Sequence, residues 1–308
     1  MLLSIPLLIL GVVLLYLGGE ALVDGASALA ERLGMSPLLI GLTVVAFGTS
    51  APELAATMTA TLDGAPALGF ANVVGSNIAN IGLILGVGAL VTQLHASTRF
   101  ILRELPFMIL TGALLFPLAL NGVIGRIEGA GLFALLLLYL GFVVYTEERT
   151  AAPEGGHPDS SLAKPLGYVV LGCVLLVAGA KALVVGAVQI AELAGLSERV
   201  IGLTMVAVGT SLPELASSIA AARRGEGEMV LGNVVGSNVF NVLCILGVVS
   251  MVRPIDVDPV AMQPDLLVML GLSIVVVPFI WSGRRLGRGS GLGLLALWAV
   301  YIAWLFVR

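Results

Sequence analysis

Charged residues are scarce in this sequence of 308 residues. Only 11% of the positions are charged, whereas 58% are hydrophobic and the mean hydropathy is +1.09. Ordinary soluble domains carry about 25% charged residues, so a water-soluble globular domain is excluded. The composition predicts a protein that is embedded in a membrane over nearly its whole length.

Cysteine and histidine are equally rare, with two of each. Cys173 and Cys244 lie in apolar runs without a CxxC pattern or a neighbouring histidine, so we interpret them as packing residues rather than metal or redox groups. No phosphate-binding P-loop motif is present, which argues against an ATP-driven pump. The net charge of −4 is spread over short segments, so nucleic acid is not expected as a partner and small ions or solutes are favoured.

Apolar segments long enough to cross a bilayer, about 20 residues each, fill almost the entire chain. We predict an all-α integral membrane fold with ten transmembrane helices and no soluble domain. The first segment lacks a basic leading region and a clear cleavage site before Glu20, which favours a retained helix over a signal peptide. The ten segments are Leu2–Val23, Leu38–Ala60, Ala67–Val91, Leu105–Ile124, Gly129–Tyr145, Leu166–Gln189, Val200–Ala222, Met229–Val252, Leu266–Trp281 and Gly291–Val307.

The sequence contains a long internal repeat. GLTVVAFGTSAPELA, starting at Gly41, matches GLTMVAVGTSLPELA, starting at Gly202, at 12 of 15 positions, and NVVGSNIANIGLILGV at Asn72 matches NVVGSNVFNVLCILGV at Asn233 at 11 of 16. Both pairs share one offset, because 202 − 41 and 233 − 72 each equal 161. We predict two five-helix repeats, residues 1–150 and 165–308, joined by a linker at 151–164.

An odd number of crossings in each repeat forces the second copy to enter the membrane from the opposite side, which is the inverted arrangement of many secondary transporters. The distribution of basic residues fits a cell (inner) membrane protein with both termini outside the cytoplasm, ten lying on the cytoplasmic side and four on the outer side. The cytoplasmic set is Arg32, Arg99, Arg103, Arg149, Lys164, Arg223, Arg224, Arg284, Arg285 and Arg288, and the outer set is Arg126, Arg199, Arg253 and Arg308.

Two glutamates lie inside otherwise apolar spans, Glu53 in the first half and Glu214 in the second. Carboxylates within a membrane are costly, and they usually face a cavity and mark an ion or proton pathway. A structural ion pair is the alternative, but no basic residue lies in the motif-bearing segments as far as Arg223. Glu53 and Glu214 are therefore predicted to be functional.

Further oxygen atoms accompany each glutamate. Thr49 and Ser50 precede Glu53 by four and three residues, so in a helix all three share one face, and Thr210, Ser211 and Glu214 repeat the pattern. Pro52 and Pro213 remove a backbone donor and are expected to break the helix, freeing carbonyls near Ala46 and Thr49 and near Ala207 and Thr210. A packing kink is the alternative reading of these prolines.

The second motif adds hydroxyl and amide groups four residues apart, Ser76 with Asn80 and Ser237 with Asn241. Oxygen ligands without histidine or thiolate suit hard cations such as Ca²⁺ and Na⁺, and two glutamates would neutralise one divalent ion. Such residues can also serve as hydrogen-bonding contacts between helices. We assign that structural role to the remaining motif asparagines, Asn72, Asn77, Asn233 and Asn238.

Glu20 and Lys181 are repeat-equivalent, since 181 − 20 is again 161. The inverted arrangement would place them near opposite membrane faces, so they are not expected to pair with each other. We expect both to extend from helix ends to the membrane interface, and a gating role stays open.

With these motifs, the chain resembles the sodium/calcium exchanger family, whose repeats contain GTSxPE followed by GNxxGSN. The resemblance implies Na⁺/Ca²⁺ antiport by alternating access, in which the first and sixth helices slide across the bundle, with Ca²⁺ and Na⁺ as transported ions and no cofactor. It implies ligands at Ala46, Thr49, Ser50, Glu53, Ser76, Asn80, Ala207, Thr210, Ser211, Glu214, Ser237 and Asn241. The chain departs from the family pattern at two positions. Ala71 replaces the first glycine of GNxxGSN, and Asn241 stands where some relatives, notably potassium-dependent exchangers and certain prokaryotic members, carry Asp, which makes potassium coupling less expected.

Three other functions are open. Exchange of protons for Ca²⁺ or another divalent cation ranks second, although neither His95 nor His157 lies in a repeat motif. An intramembrane hydrolase could use two buried carboxylates, but repeated hydroxyl and amide oxygens fit coordination better. An inert scaffold would give no reason for the buried acids.

Overall fold

The computed structural model describes residues 4–147, 161–193, 207–281 and 283–307. These residues form a helical membrane protein. The helices are α1 Ser4–Leu33, α2 Pro37–Thr49, α3 Ala51–Leu62, α4 Pro66–Val91, α5 Phe100–Leu120, α6 Arg126–Tyr145, α7 Ala163–Leu193, α8 Ala207–Thr210, α9 Leu212–Arg223, α10 Gly227–Val252, α11 Pro259–Trp281 and α12 Arg288–Val307.

Eight of the described helices are long and apolar enough to cross a membrane, or nine if the bent pair α2 and α3 is one span. The predicted span Val200–Ala222 begins outside the described residues, and only its later part is seen, as α8 and α9. The predicted linker likewise lies outside them up to residue 160.

Several helix boundaries differ from the predicted spans; α11, for example, begins at Pro259 rather than at Leu266. α1 continues ten residues beyond Val23, to Leu33, because Ala, Leu, Glu and Arg in this stretch favour a helix although they end the apolar run. α5 begins at Phe100 instead of Leu105, since nearby arginines neutralise its one buried carboxylate. It ends at Leu120, before the strand Val123–Ile124.

α4 and α10 form the centre of the molecule. They are 78% and 89% buried over their apolar windows, whereas no other described span exceeds 39%. α2 crosses α10 at glycine contacts so close that a Cβ atom at Gly41 would lie 2.6 Å from the carbonyl oxygen of Met229. Any polar group on the buried faces of these helices is thus enclosed by protein rather than lipid.

α1 and α7 pack against each other in opposite directions along a glycine seam. Gly11, Gly18 and Gly25 of α1 face Leu183, Leu176 and Val169 of α7, and the three α7 glycines at 172, 179 and 186 face α1 in the same way. A Cβ atom at Gly18 would lie 2.7 Å from the backbone nitrogen of Leu176. Small residues at seven-residue spacing therefore let the two backbones touch over most of their length.

Two short antiparallel ribbons connect the halves of the chain. β1 Leu94–His95 pairs with β4 Arg285–Leu286, and β2 Val123–Ile124 pairs with β3 Ile255–Asp256. In each ribbon, one strand comes from the first half of the sequence and the other from the second half. The two halves therefore form one body around α4 and α10.

We expect Gly18→Ala to lower thermal stability in detergent. The added methyl group would overlap α7, and overpacking of this kind typically costs about 1–3 kcal/mol. Gly141→Ala is the matched control, because a Cβ atom at Gly141 meets nothing within 4 Å. Alanine favours a helix interior over glycine by about 0.5–1 kcal/mol, so the control should melt at or above the wild-type temperature. Equal melting of the two variants would mean that the seam is not tightly packed.

Candidate functional site

The helix containing the first GTSxPE motif breaks at Ser50. This residue has φ −82° and ψ 4°, and α2 and α3 meet there at an angle of 42°. Pro52 lies in the first turn of α3 and lacks the amide hydrogen that a continuous helix would need. The second half repeats the break at Ser211, which has φ −89° and ψ 5° and precedes Pro213. The predicted breaks are thus confirmed in both halves.

Glu53 and Glu214 lie in the first turns of α3 and α9, and both are fully buried. The hydroxyl of Ser50 donates to Glu214 Oε1 over 3.2 Å, and the hydroxyl of Ser211 donates to Glu53 Oε1 over 3.4 Å. Each half therefore supplies a serine to the glutamate of the other half. These reciprocal bonds bring all four residues into one interior site, with both carboxylates at helix N-termini, where negative charge is favoured.

The helices α4 and α10 bring a second set of polar groups to the interior. Both contain a π-helical turn that starts at the motif asparagine, Asn80–Ile84 in α4 and Asn241–Ile245 in α10. Such turns are frequent at functional sites. Asn241 donates to Asn77 Oδ1 over 3.0 Å, whereas both polar atoms of the Asn80 side chain have no hydrogen-bond partner among the described residues. Ser76 is also buried with a free hydroxyl.

Several buried oxygen atoms within the motifs accept no hydrogen bond from the residues that the structure describes. They are Glu53 Oε2, Glu214 Oε2, Ser76 Oγ, Asn80 Oδ1, Asn238 Oδ1 and Asn241 Oδ1. Buried polar atoms are normally paired, because an unpaired one costs about 1–3 kcal/mol. Since the described residues contain no cluster of three or more His, Cys, Asp or Glu side chains, a cation here would need these neutral oxygens beside the two glutamates.

Asn233 is a hydrogen-bonding hub between the halves. Its Oδ1 accepts from the hydroxyls of Thr49 and Ser237 over 3.3 and 3.5 Å, and its Nδ2 donates to Ser218 Oγ over 3.0 Å. Two other motif asparagines also form hydrogen bonds to neighbouring helices, in keeping with their predicted structural role. Asn72 donates to the Thr57 hydroxyl and Asn238 to the sulfur of Met108. The only sequence signal for the role of Asn233 was that it belongs to a motif that is repeated in both halves after the glutamate motif.

One expectation about freed carbonyls is wrong. The carbonyl of Ala46 accepts the amide of Ser50 over 3.0 Å and lies 3.4 Å from the Thr49 hydroxyl, because Pro52 deprives the carbonyl of residue 48, not of residue 46, of its amide donor. Ala207 and Thr210 begin and end α8, and the preceding residues 201–206 lie outside the described ranges. In this half the Ser211 amide bonds to the carbonyl of Val208 over 3.1 Å.

Glu104 shows how a buried carboxylate is neutralised elsewhere in this protein. It is fully buried, lies 2.8 Å from Arg103 and 3.4 Å from Arg99, and accepts the Tyr139 hydroxyl over 2.7 Å. Within the described residues, Glu53 and Glu214 form no such ion pair with Lys or Arg. The absence of a basic partner was expected from the sequence for both glutamates, whereas the neutralisation of Glu104 by Arg99 and Arg103 was not.

Comparison with known proteins decides the family. The family model described as sodium/calcium exchanger protein matches residues 3–145 and 164–307. The chain belongs to the sodium/calcium exchanger family. The sodium/calcium exchanger MaX1 of Methanosarcina acetivorans is 35% identical, with 97% of each chain covered, and inner membrane protein YrbG of Escherichia coli is 36% identical over 99% of this chain and 98% of its own.

Solved structures of another exchanger share this fold. The sodium-calcium exchanger NCX_Mj, soaked with Na⁺ and Sr²⁺, aligns with a TM-score of 0.86 at 33% identity and covers 98% of both chains. A structure of the same exchanger soaked with 10 mM Na⁺ and no Ca²⁺ aligns with a TM-score of 0.87 at 32% identity, over 98% of each chain. The described helices of this chain are therefore those of a multi-pass membrane exchanger.

We expect Glu53→Gln to weaken Ca²⁺-dependent stabilisation in detergent. Ca²⁺ at about 100 times its Kd should add about 2.7 kcal/mol to wild-type stability, and the variant should lose most of that gain because one ligand charge is removed. Without Ca²⁺ the variant should melt at or above the wild-type temperature, since a buried unpaired charge is gone. The exposed Glu31 offers a matched control, Glu31→Gln. An undiminished Ca²⁺ shift in Glu53→Gln would remove this residue from the site.

Proposed function

We propose that the chain exchanges Na⁺ for Ca²⁺ across the membrane, by alternating access to one site between its two halves. One observation carries the proposal: in a member of the sodium/calcium exchanger family, two buried glutamates are hydrogen-bonded across the halves and have, among the described residues, no basic partner and one unpaired oxygen each. The chain is a transporter and not an enzyme, and Na⁺ and Ca²⁺ are its substrates rather than resident cofactors.

The proposed ligand set comprises equivalent residues from both halves. Ca²⁺ takes about six to eight oxygen ligands, more than two carboxylates provide, so hydroxyl, amide and backbone oxygens must complete the shell. The set is Ala46, Thr49, Ser50, Glu53, Ser76, Asn80, Ala207, Thr210, Ser211, Glu214, Ser237 and Asn241. Ala46 and Ala207 would contribute only carbonyl oxygens, and for Ala46 this means the second lone pair of a carbonyl that already accepts Ser50.

Competition for this single site explains exchange without ATP. Two carboxylates balance the charge of one Ca²⁺, and Na⁺ ions that occupy the same oxygens displace it. An uncompensated pair of glutamates is costly in a membrane interior, so the site is stable when cations occupy it. Ion gradients on the two sides then determine which cation is released.

We further propose ten transmembrane helices in two inverted five-helix repeats, residues 1–150 and 165–308, with the 151–164 linker in the cytoplasm and both termini outside. The 161-residue offset, the repeated helix breaks and the equivalent π-helical turns support the duplication. The opposite directions of α1 and α7, whose glycines are repeat-equivalent, support the inversion. The excess of basic residues on the predicted cytoplasmic side supports the orientation.

Proton coupling is not favoured by the site. His95 lies exposed in β1, away from the repeat motifs, and His157 lies outside the described residues. The family match likewise points to sodium. A pH gradient nevertheless belongs in the functional test as the competing driving force.

The test is uptake of radioactive Ca²⁺ into proteoliposomes loaded with Na⁺. We expect an outward Na⁺ gradient to drive uptake in the wild type and in Glu31→Gln, and Glu53→Gln and Glu214→Gln to lose at least tenfold because each removes one of two site charges. Folding of every variant is checked by gel filtration. Uptake that follows a pH gradient would instead indicate proton exchange, and no Ca²⁺ movement under either gradient would contradict the proposal.

A further inference from the structure

An ion-pair cluster closes one end of the contact between α1 and α9. Arg224, which directly follows α9, donates from Nε to Glu20 Oε2 over 3.1 Å and also pairs with Glu20 and Asp24 through its terminal nitrogens. The neighbouring Arg223 lies over the Tyr16 ring at 5.7 Å. Glu20 was expected to extend from a helix end, but it lies within α1 and is bound to a residue 204 positions away.

The internal repeat maps this pair onto a second pair with its charges reversed. Because 20 + 161 = 181 and 224 − 161 = 63, Glu20 corresponds to Lys181 of α7 and Arg224 to Asp63 after α3. In the first pair the helix residue, Glu20, is acidic and the turn residue, Arg224, is basic. In the second pair the helix residue, Lys181, is basic and the turn residue, Asp63, is acidic. Both pairs are therefore electrostatically complementary.

The two turns also share one backbone geometry. The amide of residue 63 bonds to the carbonyl of Thr59, and that of residue 224 to Ala220, which is the equivalent position. The glycines that follow, Gly64 and Gly225, have φ of +88° and +79°. Asp63 is thus held after α3 as Arg224 is held after α9.

The packing around the two turns differs. α1 lies along α9 so closely that a Cβ atom at Gly19 would be 2.9 Å from the carbonyl of Ala216, and Ala220 is buried. On α3, the equivalent residues Ala55 and Thr59 are exposed, and α7 does not pack along this helix. Lys181 and Asp63 are both exposed, and neither forms an ion pair with any described residue. One of the two equivalent contacts is closed and the other is open.

We propose that Glu20–Arg224 and Lys181–Asp63 are alternating gate pairs, a role that rests on the proposed exchange function. In the conformation described here, Glu20 and Arg224 hold α1 against α9. In the opposite conformation that pair separates, α7 packs along α3, and Lys181 meets Asp63. An ion pair stabilises only the conformation in which its partners meet, so each pair favours one state of the cycle.

Partial exposure suits this role. The Glu20 and Arg224 side chains are 26% and 31% exposed, and ion pairs of this kind are weak enough to open in every cycle. Weak pairs shift a two-state equilibrium by about two- to fivefold rather than locking it.

Crosslinking tests the predicted partner contact. The native cysteines are first removed by Cys173→Ala and Cys244→Ala, and Asp63→Cys and Lys181→Cys are then introduced. A short bifunctional thiol reagent joins the two new cysteines, and the yield of crosslinked protein reports the population of the state in which residues 63 and 181 meet. Adding Arg224→Gln should raise the yield about two- to fivefold, because the competing state loses its pair. Arg285→Gln, an equal charge change at an exposed strand residue, should leave the yield unchanged. An equal yield with and without Arg224→Gln overturns the proposal.

Charge exchange tests the pair without cysteine. Asp63→Lys should slow Na⁺-driven Ca²⁺ uptake about two- to fivefold through repulsion from Lys181, and adding Lys181→Asp should restore it. Arg253 donates to the carbonyl of Leu62 in the same turn, so it is a second basic residue that a lysine at position 63 could repel. Restoration by Lys181→Asp would show that Lys181, and not Arg253, is the partner of residue 63. Failure of the double variant to recover overturns the proposal. Crosslinking needs no transport, so a normal crosslinking response in protein that moves no Ca²⁺ would contradict the exchange function and leave the gate intact.

Discussion

The arrangement of this protein depends on two buried glutamates that have no basic partner in the part of the chain that the structure describes. Glu53 and Glu214 are fully buried, and each has one carboxylate oxygen that accepts no hydrogen bond from any described residue. Such a pair repels itself and is poorly solvated; helix N-termini and hydroxyl donors offset part of this cost, and the cation that we propose at the site would neutralise the pair. The same protein neutralises Glu104 with two arginines, which shows that the fold can satisfy a buried acid internally. At the proposed site, none of the described arginines or lysines fills that role.

Duplication supplies what one repeat lacks. A single helix break offers one carboxylate and a few oxygens, and the reciprocal bonds of Ser50 to Glu214 and Ser211 to Glu53 show that neither half completes the site alone. The halves are not in identical conformations. Asn241 is held by Asn77, whereas the equivalent Asn80 has no partner, and α1 lies along α9 while α7 does not lie along α3.

Most of the fold and the motif positions could be predicted because they are local or repeated in the sequence. Apolar runs indicated the spans, and Pro52 and Pro213 indicated the breaks. The π-helical turns at Asn80 and Asn241 were not among the sequence-based predictions, although both begin at the repeated asparagine. Arg99 and Arg103 were assigned to a loop because the predicted span began at Leu105, one residue after their partner Glu104. The contact of Glu20 with Arg224 joins the first helix to the second half, which no local pattern reveals.

The tight seam between α1 and α7 and the weak pair at Glu20 have complementary consequences. Six glycines hold α1 and α7 backbone to backbone, so these two helices resist separation, whereas α1 meets α9 at one close glycine contact, Gly19, and at a partly exposed ion pair. A force that separates α1 from α9 therefore moves α7 as well, because the seam is the stronger of the two contacts. Since α7 runs opposite to α1 and carries the equivalent surface, the movement that opens one side brings α7 towards α3 and closes the other. Strong packing within the pair and weak contacts at its edges thus keep both sides from opening together.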